Sequence, residues 1–244
     1  MKYLHFAFGI VAYFAFFAVF LYLIGFVGNL YVPISVDRGP VVAPGVAVVF
    51  DVLAVAVFGV QHSVMARAGF KAGLTRMVPP VLERSVYVLA SSLALVVMFA
   101  LWRPIAPVLW EVRTPWARAL LWALFLLGWG IVFVTTWLLN HFELFGLAQH
   151  WRNVRGVAAP APVLREPLFY KWVRHPLYSG FLISFWAIPT MTVGHALLAG
   201  GITLYVLIAI GYEERDLVRL IGPAYADYRR RVGMLVPGVG KARG

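Results

Sequence analysis

The sequence predicts an all-α, polytopic transmembrane helix bundle of about six helices, ending in a C-terminal cytoplasmic interfacial helix. Three observations predict it. Hydrophobic residues make up 62% of the chain and charged residues 13%, whereas a soluble domain carries about a quarter charged residues. The apolar residues are gathered into runs of the length that crosses a bilayer. The basic residues between those runs fall mostly on alternate connections, as topology demands.

Taken in order, the apolar runs lie at about 6–30, 46–66, 84–102, 117–140, 177–192 and 196–212, with a cytoplasmic cap over 213–244, all in a single domain. The first follows Lys2, is too long for a signal-peptide core and lacks a small-x-small cleavage site, so it is expected to be a retained helix. Pro33 to Pro40 forms a turn-rich connection to the second. Pro79-Pro80 precedes the third run, and Pro104, Pro107 and Pro115 separate it from the fourth. The last two runs are short for about 30 Å of hydrocarbon and are parted only by Val193-Gly194-His195. Pro189 interrupts the fifth, so five crossings plus a re-entrant hairpin is the competing count. Ala158 to Pro162 reads as a stiff linker, and the tail from Glu213 to Arg231 as an interfacial helix broken near Gly222-Pro223.

Six crossings divide the 21 Lys and Arg residues 17 to 4. The richer side holds the N-terminus, the 67–84 and 141–176 loops and the tail, which places both termini in the cytoplasm. The net charge of +11 therefore reads as topology, and no nucleic-acid partner is expected. The absence of cysteine excludes disulfides, thiolate-bound zinc, iron–sulfur clusters and a cysteine nucleophile, and no metal is expected.

Polar groups at membrane depth are costly, so their placement is informative. Gln61-His62-Ser63, Arg84-Ser85 with Tyr87, Asn140 to Glu143, Arg174 to Gly180, and Glu213 to Asp216 come from five helices, yet topology assigns all of them to the cytoplasmic face. The expectation is a polar pocket there. Arg84, Glu143 and Asp216 equally suit snorkelling helix ends, and His62 alone suits a structural hydrogen bond. Asp51 is read as a helix-end residue near the opposite face, and His5, His150 and His195 as surface or loop residues.

Glu213 and Glu214 repel each other and sit badly at a helix C-terminus, so a cation from Arg174, Arg215 or a ligand is expected beside them. In Arg174-His175-Pro176 the proline starts a helix, and the two residues before it make an anion site. Gly180 would admit a flat ligand group. Together these offer walls of both signs, suited to a zwitterion.

Arg174-His175-Pro176-Leu177-Tyr178-Ser179-Gly180, followed by Glu213-Glu214, resembles the RHPxYxG…EE signature of integral-membrane methyltransferases, a group that includes the isoprenylcysteine carboxyl methyltransferases, the phospholipid N-methyltransferases and the NnrU-like proteins. Residues 61–67, Glu83-Arg84-Ser85, 140–146, 185–192 and 213–217 are similar to segments of bacterial methanethiol S-methyltransferases, with Ile188 standing where a threonine is usual. The resemblance covers nearly the whole chain. It implies a bacterial inner-membrane enzyme that methylates methanethiol from S-adenosylmethionine, yielding dimethyl sulfide and S-adenosylhomocysteine. It also implies that Arg174, His175, Pro176, Tyr178 and Gly180 bind the cofactor's amino-acid end and ribose, with Glu213 and Glu214 as the other wall.

Because thiols are weak nucleophiles and thiolates strong ones, His141 and His62 are the candidate bases. Gln61, Arg84, Asn140 and Trp186 are expected around the acceptor, beside membrane lipid. Related acceptors would be another thiol, a lipid amine or a prenylated-protein carboxyl group. In a different class, His62 and His141 would be axial ligands of a haem. A transporter is disfavoured by the scarcity of ionisable groups at mid-membrane, and no soluble-type dinucleotide fingerprint is present.

Overall fold

The computed structural model describes residues 1–161 and 163–242. Pro162 of the expected linker and Arg243 of the basic tally lie outside the described residues. Ten helices and two short strands follow one another among them: α1 (Lys2–Gly28), α2 (Pro44–Ala66), α3 (Ala68–Leu74), α4 (Glu83–Leu101), β1 (Val108–Glu111), α5 (Pro115–Leu138), α6 (His141–Leu144), α7 (Leu147–Arg155), α8 (Pro176–Trp186), β2 (Thr190–Thr192), α9 (Val193–Ile221) and α10 (Pro223–Arg231).

Five segments are long and apolar enough to cross a membrane: α1, α2, Pro80–Leu101 (α4 with its leading turn), α5 and α9. Their apolar side chains do not turn inward as in a soluble core. Phe14, Val57, Leu93, Leu126 and Leu204 are exposed, and such surface needs lipid.

The fifth run departs from expectation. A helix over 177–192 was the reading; the helix stops at Trp186, after 11 residues. That is about 16 Å of rise, half the hydrocarbon thickness. Pro189 biases Ile188 toward extended backbone and denies the helix a donor, and Thr190 and Thr192 are β-branched formers of the strand β2. Six extended residues add about 20 Å, so helix and strand together have the reach of one passage. Backbone in lipid must be satisfied internally. Accordingly Ala187 N–H donates to Ile183 O at 2.9 Å, and Val112 N–H donates to Pro189 O at 2.8 Å.

The chain forms two compact units. The first comprises Met1–Glu111, His141–Ala159 and Thr190–Gly201; the second comprises Val112–Asn140, Pro160–Pro189 and the chain from Ile202 on. In the first, α4 packs on α1 and α2, and α7 packs on α1. β1 pairs antiparallel with β2, Glu111 opposite Thr190 and Val108 opposite Thr192. Trp102 is fully buried there and donates from Nε1 to Val36 O at 2.9 Å, holding the loop after α1. Asp51 is also fully buried, its Oδ1 accepting from Arg103 N–H at 2.8 Å.

In the second unit α8 runs antiparallel to α5. Ser184 Oγ donates to Phe125 O at 3.0 Å, and a Cβ on Gly180 would stand 2.7 Å from Gly128 O and 3.0 Å from Val132. The tail is as expected in part: Gly222 breaks the helix with φ 75° and Pro223 opens α10, but residues 213–221 continue α9 instead of starting a separate cap.

Candidate active site

Pro176 sits at the first position of α8, with His175 as its N-cap residue. The ring at N1 costs no helix bond, and the two residues before it lie outside the helix. Their backbones pair with the chain after α10: Arg174 N–H donates to Gly233 O at 2.8 Å and His175 N–H to Met234 O at 3.2 Å. Both side chains are buried.

Glu213 and Glu214 are neighbours on α9, so their side chains point about 100° apart around the helix. Glu214 turns inward, with 8% of its side chain exposed, and Glu213 keeps 42%. Arg174 Nε donates to Glu214 Oε1 at 2.7 Å, His175 Nε2 lies 3.2 Å from the same oxygen, and Arg229 Nε lies 2.9 Å from Oε2. The cation expected beside the glutamates is therefore Arg174, joined by Arg229. Arg215 instead donates to Gly211 O at 2.8 Å and stacks 4.6 Å over the Tyr212 ring. Glu213 accepts from the Tyr178 hydroxyl at 3.0 Å, with His175 Nδ1 3.9 Å away.

Two more second-unit residues are positioned by the packing around α8. The close approach that Gly180 allows is made by the backbone of α5, so the glycine is a packing position between α8 and α5. Trp186 ends α8 and donates from Nε1 to Thr203 Oγ1 at 3.0 Å. Asn140 follows α5 with φ 67°, a left-handed conformation asparagine tolerates better than other non-glycine residues.

In the first unit a second set assembles. His62 has its Nε2 2.7 Å from the Tyr87 hydroxyl and its Nδ1 3.0 Å from Ser91 Oγ. Gln61 donates from Nε2 to Met65 Sδ at 3.0 Å. Arg84 donates from Nε to Leu144 O at 2.6 Å and lies 5.0 Å over the Tyr87 ring. His141, only 4% exposed, has Nε2 2.9 Å from the Tyr13 hydroxyl. Burial pushes the His141 imidazole below its usual pKa, which keeps it neutral. Tyr87, Val88 and Phe145 form a buried cluster against which Tyr13, Phe16, Met65 and Leu144 pack. The two histidines thus each hold a tyrosine of one aromatic cluster. With both ring nitrogens of His62 facing hydroxyls, axial haem ligation at His62 is disfavoured.

Tyr13 was not singled out from the sequence, although a tyrosine within an apolar run is a signal of a hydroxyl seeking a partner. His150 and His195 are corrections. Both are fully buried rather than at the surface, His150 against Ser85 Oγ at 2.8 Å. A cavity of about 520 Å³ opens elsewhere in the first unit, among Asp37, Arg38, Pro44, Pro104 and Pro107, and none of the candidate residues lines it.

The second-unit group suits a cationic ligand bearing hydroxyls. Glu213 offers a half-exposed carboxylate, and Tyr178 and His175 stand beside it, while the charge of Glu214 is already neutralised.

No family model and no solved structure matches the chain. Curated proteins do. It is 49% identical over 236 residues to a methanethiol S-methyltransferase of Mycobacterium tuberculosis, covering 97% of each chain. It is 47% identical to methanethiol S-methyltransferase 1 of Bradyrhizobium diazoefficiens over 97% of this chain and 83% of that one. Nurim of Bos taurus is 35% identical over 181 residues, 70% of this chain and 68% of nurim. Near-half identity over almost the full length, on a multi-pass helical frame, makes the chain a membrane enzyme of the methanethiol S-methyltransferase family.

Proposed function

We propose that the protein transfers a methyl group from S-adenosylmethionine to methanethiol, releasing dimethyl sulfide, at the cytoplasmic face of a bacterial inner membrane with both termini in the cytoplasm. The acceptor is taken from the names of the relatives. One observation of the structure supports the donor: Glu213 is held half-exposed by Tyr178 beside His175, at the first turn of α8. Bound there, the cofactor supplies a methyl group on a positively charged sulfur.

Glu213 offers a carboxylate to a cation, Tyr178 fixes the direction of that carboxylate, and the ring of His175, 5.7 Å from that of Tyr178, walls the place. Water exclusion and alignment are the main sources of rate in such a displacement. The acceptor reacts as a thiolate. His141, neutral and buried, can hold the thiol proton; His62 is the second candidate, acting through the Tyr87 hydroxyl it contacts.

Membranes from cells expressing the chain, supplied with S-adenosylmethionine and methanethiol, should release dimethyl sulfide into the headspace. A lipid amine or a prenylated cysteine carboxyl group methylated instead, with no dimethyl sulfide, would overturn the acceptor. Profiles of rate against pH from about 4.5 to 9, reaching below the ordinary histidine range because burial lowers the His141 pKa, test the base. His141→Ala should lose the acidic limb; wild-type profiles in both His141→Ala and His62→Ala would remove histidine from the reaction.

A further inference from the structure

The arginine of the RHP sequence is committed to the protein itself. Arg174 has five N–H donors, and four are engaged inside the second unit. Nε donates to Glu214 Oε1 at 2.7 Å. Nη1 donates to Arg229 O at 3.1 Å and to Val232 O. Nη2 donates to Gly240 O at 3.1 Å. The three carbonyls belong to the end of α10 and the segment after it, here called the strap (Val232–Gly240). Only 2% of the Arg174 side chain and 8% of the Glu214 side chain are exposed.

The strap is built to lie there. Its backbone pairs with Arg174 and His175 through Gly233 O and Met234 O. Ser179 Oγ donates to Leu235 O at 2.7 Å. Internally, Met234 N–H donates to Val239 O at 2.7 Å and Val239 N–H to Val236 O at 3.0 Å, closing a tight loop. A Cβ on Gly233 would stand 2.3 Å from Val236 O, and Gly240 has φ 73°, so both positions require glycine. Freeing Arg174 for a ligand's carboxylate would uncouple this loop and leave Glu214 as a buried charge short of its main partner, which is strongly unfavourable.

We infer that Arg174 and Glu214 are positioning residues, a buried latch that fastens the strap over the first turn of α8 and so sets His175 and Tyr178 for the methyl donor. This rests on the reading of that turn as the donor site. Arg174 does not touch the donor; it acts through the strap. Lysine keeps the charge but cannot bridge a carboxylate and three carbonyls.

Hydrogen exchange of strap amides in the donor-free protein tests the latch. A direct ligand would leave that exchange unchanged when mutated; a latch would not. In Arg174→Lys, exchange at Met234 and Val239 should rise about tenfold, and in Ser179→Ala, which keeps the ion pair, about fivefold, the scale of a lost hydrogen bond or two. Binding of S-adenosylhomocysteine by calorimetry should weaken in both variants, and the loss of rate should fall on KM for the donor rather than on kcat. Wild-type exchange in the Arg174→Lys strap, with S-adenosylhomocysteine binding lost, would make Arg174 a direct ligand and overturn the inference. Faster exchange with unchanged binding and KM would equally overturn it, because the strap would then have no part in the donor site. If the wild-type protein binds no S-adenosylhomocysteine, the donor reading fails by itself, while the exchange of the strap still decides whether Arg174 is its latch.

Discussion

His150 has no exposed surface and one ring nitrogen 2.8 Å from Ser85 Oγ. Burial, and then the proximity of His5, depresses its pKa below the ordinary 6.5. The sign of the consequence follows. The unfolded chain takes up a proton as pH falls through about 6.5, and the folded protein resists, so stability is full above that value and declines below it. Thermal unfolding in detergent should therefore fall from pH 7.5 to 5.5, and His150→Gln should flatten that slope. An unchanged slope in the variant would place the acid sensitivity elsewhere, with His141, depressed by burial in the same sense, the next residue to change. Side chains of this kind were only half legible in the sequence. Gln61, His62 and Arg84 announce themselves at a helix end, but nothing in the sequence around His150 says that a glycine at position 9 opens space for its ring. A Cβ on Gly9 would stand 2.3 Å from it. That pairing spans 141 positions of sequence and exists only once α7 has folded back on α1.

At the scale of elements, the long helices were legible because lipid demands about 20 apolar residues per span. α1, α2, α4 and α5 fall within four residues of their expected bounds. α8 was overestimated, since apolar composition alone does not distinguish a helix from an extended segment and only Pro189 carried the distinction. The strap and the β1–β2 pair were missed altogether, because their stability comes from backbone partners distant in sequence rather than from any local pattern. The contact between α8 and α5 gives an element-scale prediction. Gly180→Ala places a Cβ 2.7 Å from Gly128 O and should cost on the order of 1–3 kcal/mol by overpacking, read as a lower melting temperature in protein without donor. If stability is untouched and only donor binding falls, the glycine belongs to the ligand and not to the helix pair.

For the whole molecule, the charge asymmetry and the family agree on a multi-pass enzyme, and the orientation proposed from the 17-to-4 division can be measured directly. The chain has no cysteine, so single replacements need no background removal. Val41→Cys, in an exposed loop, should react with an impermeant maleimide on intact cells. Ala158→Cys, also exposed, should react only after the membrane is opened. The reverse pattern would invert the topology and place the donor site on the wrong side for a cytosolic cofactor. Which residues chemistry draws on was legible as a set of motifs; how they divide between ligand and latch was not, since Arg174 looks the same in a sequence whether it grips a substrate or a loop.

The passage from Pro176 to Thr192 also constrains how the chain can be made. An 11-residue helix is too short to partition into a bilayer as a stable span, and the extended residues after it have unmet backbone groups until Val112 and β1 are beside them. It cannot settle in lipid on its own when it leaves the ribosome. Under the six-crossing topology proposed from the charge division, it enters with α9 as a hairpin, against an α5 already in place, so that membrane insertion and tertiary folding become a single step for the last third of the protein.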